Sequence, residues 1–356
     1  MRHDRIIHGV VTLGAMLGTG CSEKPKPGPA APPPPPPPSA YAYVTNEDSH
    51  DLTIINADND SVIGSIPVGT RPRGVKVSRD GKFVFVALTG SPKCPPAMSD
   101  EECEKLGSDK TKDGVAVVDA SSRTVSRVLP GGSDPETFTL SADDSKLYVS
   151  NEDAGMASIV DVATGKVLAT VPTGKEPEGV TLAPDGKSVW VSGETNHDIT
   201  ILDAESGKRL GQVSVGLRPR SVAFLPDGSK AYSANEAGGT VSVIDVPTRK
   251  VTGTITMPEG SKPMTILAAA DGQRLYVSNG RGGTVSAIDV ATNQVTQSVA
   301  VGKRPWGIAL SKDGGKLYSA NGPSNDVSVI DLATFTVVKT IPAGKVPWGV
   351  AVGSAP

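Results

Sequence analysis

The chain has 356 residues, of which 21% are charged, and a formal net charge of −3. The sequence pI of about 5.9 shows no basic excess, so we expect no nucleic-acid partner. Forty glycines and 30 prolines with only 4% aromatic residues favour short strands joined by turns over a helical bundle. Outside the leader described next, the histidines are His50 and His197. Two are too few for a three-histidine zinc site or several bis-histidine haems, and we expect no metal or cofactor.

Residues 1–21 have the features of an export signal. Arg2 and Arg5 precede an apolar stretch at 6–20, which is shorter than the roughly 20 residues that span a bilayer. Small residues then lead to Cys21, as at a bacterial lipoprotein cleavage site, although Leu17 lies one place further from the cysteine than usual. We therefore predict a lipid anchor on Cys21. The alternative is an ordinary secretory signal followed by an incidental cysteine.

Residues 22–40 form a proline-rich linker with seven consecutive prolines from Pro32. Such a segment can neither pair in a sheet nor continue a helix. The segment from Pro25 to Pro38, extended as polyproline at about 3.1 Å per residue, would reach roughly 40 Å. With the anchor, it predicts a membrane lipoprotein whose globular domain faces the periplasm or the cell surface. The alternative is a passive, disordered leader.

The remainder, residues 41–356, repeats itself with a period near 42. Seven equivalent segments begin with an aromatic residue and are separated by 42, 63, 42, 42, 44 and 42 residues. A period near 42 with four short strands per unit is typical of propeller blades. The segments begin at Tyr43, Phe85, Tyr148, Trp190, Tyr232, Tyr276 and Tyr318.

One unit shows how the strands follow one another. Strands are predicted at 179–182, 187–192, 198–203 and 209–215, with Pro184-Asp-Gly forming the first turn. Glycine tolerates the positive φ of a tight hairpin, so the recurring Asp-Gly pairs have a structural role. The aspartates that end the third strands are expected to bond backbone amides in the next turn. They are Asp119, Asp161, Asp203, Asp245, Asp289 and Asp331.

The two ends of the repeat complement each other. The first unit begins with its second strand at Tyr43, and an unmatched first strand, 348–352, follows the last unit. Pairing of these two segments would leave no free radial edge. We therefore predict an all-β fold, a seven-bladed β-propeller in which the C-terminal strand closes the N-terminal blade.

These segments resemble the YVTN-family (YncE-like) β-propeller repeat proteins, over roughly residues 41–352. That resemblance implies an exported bacterial protein and is informative about fold more than function. More distant proteins of similar shape include lactonases and the haem d1 domain of nitrite reductase. The matching motifs are Tyr43-Val-Thr-Asn, Val-Ser-Val-Ile-Asp at 241–245 and 327–331, and Gly-x-x-Pro-x-Gly-Val/Ile at 69–75, 302–308 and 344–350.

A non-repeating insertion at residues 89–113 interrupts the second unit and contains Cys94 and Cys103. With Cys21 lipidated, these two remain to pair, and export makes a disulfide plausible. Ser99 and Glu102 have the spacing of a capping box at the start of a short helix. The insertion is expected on the face that carries the loops between second and third strands. It is either a lid over a ligand or a surface loop closed by the disulfide.

A candidate ligand site lies where each blade enters its innermost strand. In each of these loops one residue follows a proline and is aimed near the mouth of the axial channel. An arginine can bind a carboxylate through two hydrogen bonds, and indole faces suit sugars, planar rings or apolar groups. The alternative is that the charges neutralise one another and plug the channel. The residues, called the axial ring below, are Arg73, Glu136, Glu178, Arg220, Met264, Trp306 and Trp348.

Other polar residues follow the second strands on the same face. Glu47, Glu152, Glu194 and Glu236 could attract a cation, but solvated carboxylates are the expected state. His50 and His197 occupy this kind of loop in the first and fourth blades. They are expected to be separate surface histidines.

Three classes of function compete. The leading one is a non-enzymatic binding or scaffold protein of the cell envelope, whose partner is a small molecule, a peptide or an envelope protein. The sequence shows no clustered nucleophile and base. The second is a lactone hydrolase by fold analogy, with Glu136 or Glu178 as base beside Arg73 or Arg220. The third, a redox haem protein, needs an axial ligand that neither histidine supplies at the ring.

Overall fold

The computed structural model describes residues 37–93 and 105–356, together with Gly9, Thr12, Met98, Ser99 and Glu102. Cys21, Cys94 and Cys103, and with them the predicted lipid anchor and disulfide, lie outside these residues. The propeller is one compact unit from Pro38 to Pro356. Within the part that is described, no helix is long and apolar enough to cross a membrane.

Twenty-eight strands of the described chain form seven four-stranded antiparallel sheets, the blades. Blade 1 contains β1 (Ala40–Asn46), β2 (Asp51–Asn56), β3 (Ser61–Pro67) and β28 (Pro347–Ser354). Blade 2 contains β4 (Pro72–Val77), β5 (Phe83–Leu88), β6 (Gly114–Asp119) and β7 (Thr124–Leu129). Blade 3 contains β8 (Pro135–Leu140), β9 (Lys146–Asn151), β10 (Met156–Asp161) and β11 (Val167–Pro172).

The remaining blades continue in chain order. Blade 4 contains β12 (Pro177–Leu182), β13 (Ser188–Gly193), β14 (Asp198–Asp203) and β15 (Arg209–Ser214). Blade 5 contains β16 (Pro219–Phe224), β17 (Lys230–Asn235), β18 (Thr240–Asp245) and β19 (Lys250–Thr256). Blade 6 contains β20 (Pro263–Ala268), β21 (Arg274–Asn279), β22 (Thr284–Asp289) and β23 (Gln294–Ala300). Blade 7 contains β24 (Pro305–Leu310), β25 (Lys316–Asn321), β26 (Asp326–Asp331) and β27 (Thr336–Pro342).

The C-terminal strand closes the ring as the sequence predicts. Strand β28 pairs with β1 antiparallel, and Val350 lies opposite Val44. The first strand of every other blade precedes its partners in the chain, so only blade 1 is assembled from both ends. This pairing confirms the seven-bladed, closed propeller.

The hydrophobic core lies between blades rather than within one. Seven clusters of buried side chains fill the seven interfaces between neighbouring blades. In one of them Tyr318 of blade 7 packs with Val44 and Ile55 of blade 1, and its hydroxyl donates a hydrogen bond to Asp60 at 2.7 Å. The aromatic residues of the repeat are therefore core residues that hold adjacent blades together.

Polar residues of the repeat fix the turns. The Asn321 side chain at the end of a second strand donates a hydrogen bond to Ser328 on the third strand, at 2.9 Å. A side chain at Gly302 would collide with Asn321, because its Cβ would lie 2.5 Å from the asparagine Cβ. The predicted role of the strand-ending aspartates is confirmed, since each accepts a backbone hydrogen bond from the following turn. These bonds run from Ser122, Thr164, Ser206, Thr248, Thr292 and Thr334.

The insertion joins β5 to β6 and lies on the expected face. Its described part includes a short 3-10 helix at Lys110–Lys112, and a second 3-10 helix occurs at Gly322–Ser324 in blade 7. The predicted capping box is present: Ser99 and Glu102 exchange hydrogen bonds between side chain and backbone, at 3.0 and 3.3 Å.

Candidate functional site

Seven equivalent loops bring the axial ring together. Each innermost strand begins with a proline, and the ring residue follows it. The residue before that proline has a positive φ in every blade, between 43° at Arg71 and 59° at Arg218. A residue before proline normally avoids this region, so the conformation is strained and held by its surroundings. It places residues on both sides of the proline, such as Arg71 and Arg73, on the wall of one cavity.

Arg73 is the centre of one charged cluster. Its side chain is 11% exposed and contacts Glu136 closely. It also lies 3.4 Å from Glu47, 3.4 Å from Glu152 and 3.9 Å from Asp134. Burial lowers the pKa of Arg73, but the surrounding carboxylates outweigh that effect and raise it. Nε and Nη1 of the guanidinium thus contact carboxylates of the protein.

Arg220 is the centre of a second cluster. Its guanidinium contacts Glu178 closely and lies 2.7 Å from both Glu194 and Glu236. Arg218 reinforces this cluster, close to Glu194 and 3.4 Å from Glu236. The three carboxylates raise the pKa of Arg220 against the opposing effect of burial. The charged half of the ring therefore neutralises itself in two groups.

The four glutamates after the second strands were predicted to be solvated, and that prediction is wrong. Glu47 and Glu194 are each 5% exposed, Glu236 is 9% exposed, and Glu152 is half-buried. The backbone N–H of each one donates to the carbonyl of the residue before the proline of its own blade, for example from Glu236 to Arg218 at 2.8 Å. This bond fixes the loop against the channel, and the side chains turn inward to the arginines.

Three carboxylates meet beside these arginines. Oxygens of Glu136, Glu152 and Glu178 all lie within 4.8 Å of one another. Burial and the charge of Glu178 raise the pKa of Glu152 to about 8. Burial also raises the pKa of Glu178 to about 8, despite the opposing charge of Arg220. Burial and the repulsion between neighbouring carboxylates thus favour proton uptake by the cluster. Such oxygens can bind a hard divalent cation, but the cation would compete with the arginine that contacts Glu136.

The other half of the ring is aromatic. The rings of Trp306 and Trp348 meet edge to face, with centroids 5.2 Å apart. The guanidinium carbon of Arg304 lies 5.1 Å from the centroid of Trp306. Within the described chain no carboxylate lies within 4 Å of Arg304. Burial lowers its pKa. The charge of Glu236 opposes this effect, whereas the guanidiniums of Arg220 and Arg281 reinforce it.

The ring divides the axial channel into two cavities. The upper chamber, on the side of the loops that lead into the innermost strands, has a volume of about 740 Å³ and includes Arg73, Glu152 and Arg304 in its wall. The lower chamber has a volume of about 420 Å³ and is lined by the innermost strands beyond the ring. Trp306 and Trp348 line both. The insertion contributes Ser91, Lys93 and Ser108 to the upper chamber, so it borders the candidate site.

Both histidines lie apart from the ring, as the sequence predicts. Nδ1 of His50 accepts the backbone N–H of Arg71 at 3.1 Å, and Nδ1 of His197 accepts that of Arg218 at 3.2 Å. Each imidazole thus supports a loop of the upper chamber. Sequence reasoning missed Arg71, Arg218 and Arg304, although all three precede a blade proline and the repeat could have revealed them.

The fold and the axial cavities define the class of protein: a seven-bladed β-propeller with two ligand-sized chambers on its axis. The sequence model of YNCE-like β-propellers matches residues 38–231, more than half of the chain, and the chain belongs to that family. A second model, of seven-bladed β-propeller lactonases, matches residues 180–337. A search of curated proteins finds no match.

Solved structures share the fold at low sequence identity. A protein of unknown function from Desulfotomaculum acetoxidans has a TM-score of 0.72 at 15% identity, covering 89% of this chain and 99% of that one. A proposed 6-phosphogluconolactonase from Bacteroides fragilis has a TM-score of 0.71 at 19% identity, covering 88% and 98%. Hydrazine synthase from Kuenenia stuttgartiensis has a TM-score of 0.67 at 20% identity, covering 79% and 89%.

Proposed function

We propose that this protein is a binding protein of the cell envelope that takes a small ligand or a peptide segment in the upper chamber. The ligand carries an anionic group beside a planar or apolar part. Arg304 is the observation that supports this proposal. It is the arginine of the chamber wall that stacks on an indole and, within the described chain, has no carboxylate within 4 Å.

The chemistry of the chamber fits such a ligand. A guanidinium can bind a carboxylate or phosphate through two hydrogen bonds, and the indole faces of Trp306 and Trp348 accept a flat or apolar body. The volume of about 740 Å³ falls within the ordinary range of ligand pockets. Arg73 is already neutralised by its carboxylate neighbours, so Arg304 supplies the charge that is left for a ligand.

The proposed location in the envelope rests on the leader. A lipid on Cys21 followed by the proline-rich linker would hold the propeller away from a membrane surface.

Tryptophan fluorescence tests the binding site directly. We expect 2-naphthoate to quench Trp306 and Trp348 and to bind at least tenfold more tightly than the neutral 2-naphthamide. Arg304→Met should remove this preference. Arg281→Met is the matched control, because Arg281 is exposed nearby and does not line the chamber. Equal binding of the two probes, or full binding by Arg304→Met, would rule out the proposed site.

A second candidate function is hydrolysis of a lactone, and the carboxylate cluster favours it. A carboxyl whose pKa is near 8 can exchange protons close to neutral pH, as a general acid or base must. Glu178 lies beside Arg220, which could stabilise an anionic product or intermediate. Two of the similar structures are named as proposed 6-phosphogluconolactonases, which motivates a screen with lactones that includes 6-phosphogluconolactone.

The lactone screen separates the two functions. Turnover that Glu178→Gln abolishes, while Glu205→Gln at an exposed site leaves it intact, would establish the enzyme and refute the purely binding role. Absence of turnover with every lactone of the panel would refute the lactonase hypothesis.

A further inference from the structure

The lower chamber contains one charged side chain that the function proposed above does not use. Lys76 lies three residues after the axial-ring residue Arg73 on the innermost strand of blade 2. The equivalent positions of the other six blades are uncharged. They are Thr139, Thr181, Ala223, Leu267, Ala309 and Ala351.

Lys76 has no polar partner within the described part of the chain, whereas other polar groups nearby are satisfied. The hydroxyl of Thr181 donates to the carbonyl of Val222 at 2.8 Å. The hydroxyl of Ser221 donates to the carbonyl of Met264 at 2.7 Å. Glu178 and Arg220, at the ring end of the chamber, are paired with each other.

The environment of Lys76 is apolar. Phe138, Leu182, Phe224 and Leu267 line the same cavity. The side chain of Lys76 faces this cavity and keeps much of its surface accessible from it. The protein around it nevertheless lowers the pKa of its ammonium group through desolvation, with no charged neighbour as a further cause. An anion placed beside this exposed ammonium group would form an ion pair against a largely apolar wall.

We propose that the lower chamber is a separate binding site for a small aliphatic carboxylic acid, with Lys76 as the ion-pair partner of its carboxylate. The apolar walls contact the hydrocarbon part. A volume of about 420 Å³ lies within the range of small-molecule pockets. The lining extends from the indoles of Trp306 and Trp348 to Pro184 and Pro226. These two prolines begin hairpin turns on the opposite face of the propeller, where the acid would enter the chamber.

This site is independent of the upper chamber. It uses a different cation, a different cavity and a ligand without a planar group. Either site can therefore fail without the other.

Isothermal titration calorimetry with octanoate and the neutral octanamide tests the proposal. We expect the full chain to bind octanoate at least tenfold more tightly than octanamide, since the amide carbonyl can still accept a hydrogen bond from Lys76 but the neutral amide forms no ion pair with it. Lys76→Met should bind both probes equally, and Lys76→Arg should restore the preference for octanoate. Lys82→Met is the matched control, because Lys82 is an exposed lysine of the same blade.

The variants also separate misfolding from loss of the site. Lys76→Met replaces an exposed side chain, so its melting temperature should stay close to that of the parent protein. Equal affinity of the parent protein for both probes, or undiminished octanoate binding by Lys76→Met, overturns the proposal. Octanoate binding that disappears in Arg304→Met and persists in Lys76→Met would place the acid in the upper chamber and overturn it equally.

Discussion

Replacing Arg220 by methionine should destabilise the propeller strongly and in a pH-dependent way. The substitution keeps the apolar part of the side chain but removes the positive charge that contacts Glu178, Glu194 and Glu236. Removing one partner from a buried ion pair typically costs about 3–5 kcal/mol, because the remaining charge is left without compensation. Arg218 still contacts two of the three glutamates, so we expect the lower part of that range, about 3 kcal/mol at pH 9.

The loss should be smaller at pH 6 than at pH 9. Glu178 already has a raised pKa, and without Arg220 it takes up a proton still more readily, which removes part of the uncompensated charge. Urea unfolding followed by tryptophan fluorescence at the two pH values measures the difference. Glu178→Gln combined with Arg220→Met should recover about 1 kcal/mol or more at pH 9. Arg79→Met, at an exposed arginine, is the control. A loss below about 1 kcal/mol at pH 9, or one equal at both pH values, would show that the cluster is not a coupled buried network.

Three further predictions concern the carboxylates, the closure and the anchor. The raised pKa values of Glu152 and Glu178 favour proton uptake by the folded protein over the unfolded chain, so its melting temperature should fall as pH rises from 4.5 towards 8. Glu178→Gln should flatten this slope in calorimetric scans. Val350→Asp should cost about 3 kcal/mol or more in urea unfolding because it buries a charge in the closing strand, whereas Val338→Asp on an exposed outer strand should cost under about 0.5 kcal/mol. Cys21→Ser should release the protein from the membrane to the soluble fraction on cell fractionation; persistence in the membrane would refute the anchor.

Much of the fold was predictable because each repeat carries turn residues and strand patterns whose structural preferences act locally. Asp-Gly turns need a residue that tolerates positive φ, and Gly186 has φ 70° at such a turn. The alternation of apolar and polar residues and the 42-residue period locate the strands. The unmatched C-terminal strand can complete only the first unit, which lacks its own first strand. The pairing of Val350 with Val44 follows from that pattern.

The candidate site was only partly predictable. The repeat identifies which residue follows each blade proline, but it does not tell where the residue before the proline points. That direction depends on a left-handed backbone that proline normally disfavours in its predecessor, and tertiary contacts impose it here. The inward turn of Glu47 and Glu236 depends on hydrogen bonds to those same residues, so the sequence pattern alone assigned them to solvent. Lys76 could have been found by comparing equivalent positions on the innermost strands.

The arrangement of the ring makes the two tryptophans the link between the chambers. Arg73 with Glu136, and Glu178 with Arg220, are adjacent pairs that close the charged half through direct contacts. Among the ring residues, only the indoles border both cavities. A ligand in either chamber therefore alters the surroundings of Trp306 and Trp348, and fluorescence alone cannot assign it. Charge can distinguish the chambers, because each has a cation that lies more than 4 Å from every carboxylate of the described residues: Arg304 above the ring and Lys76 below it.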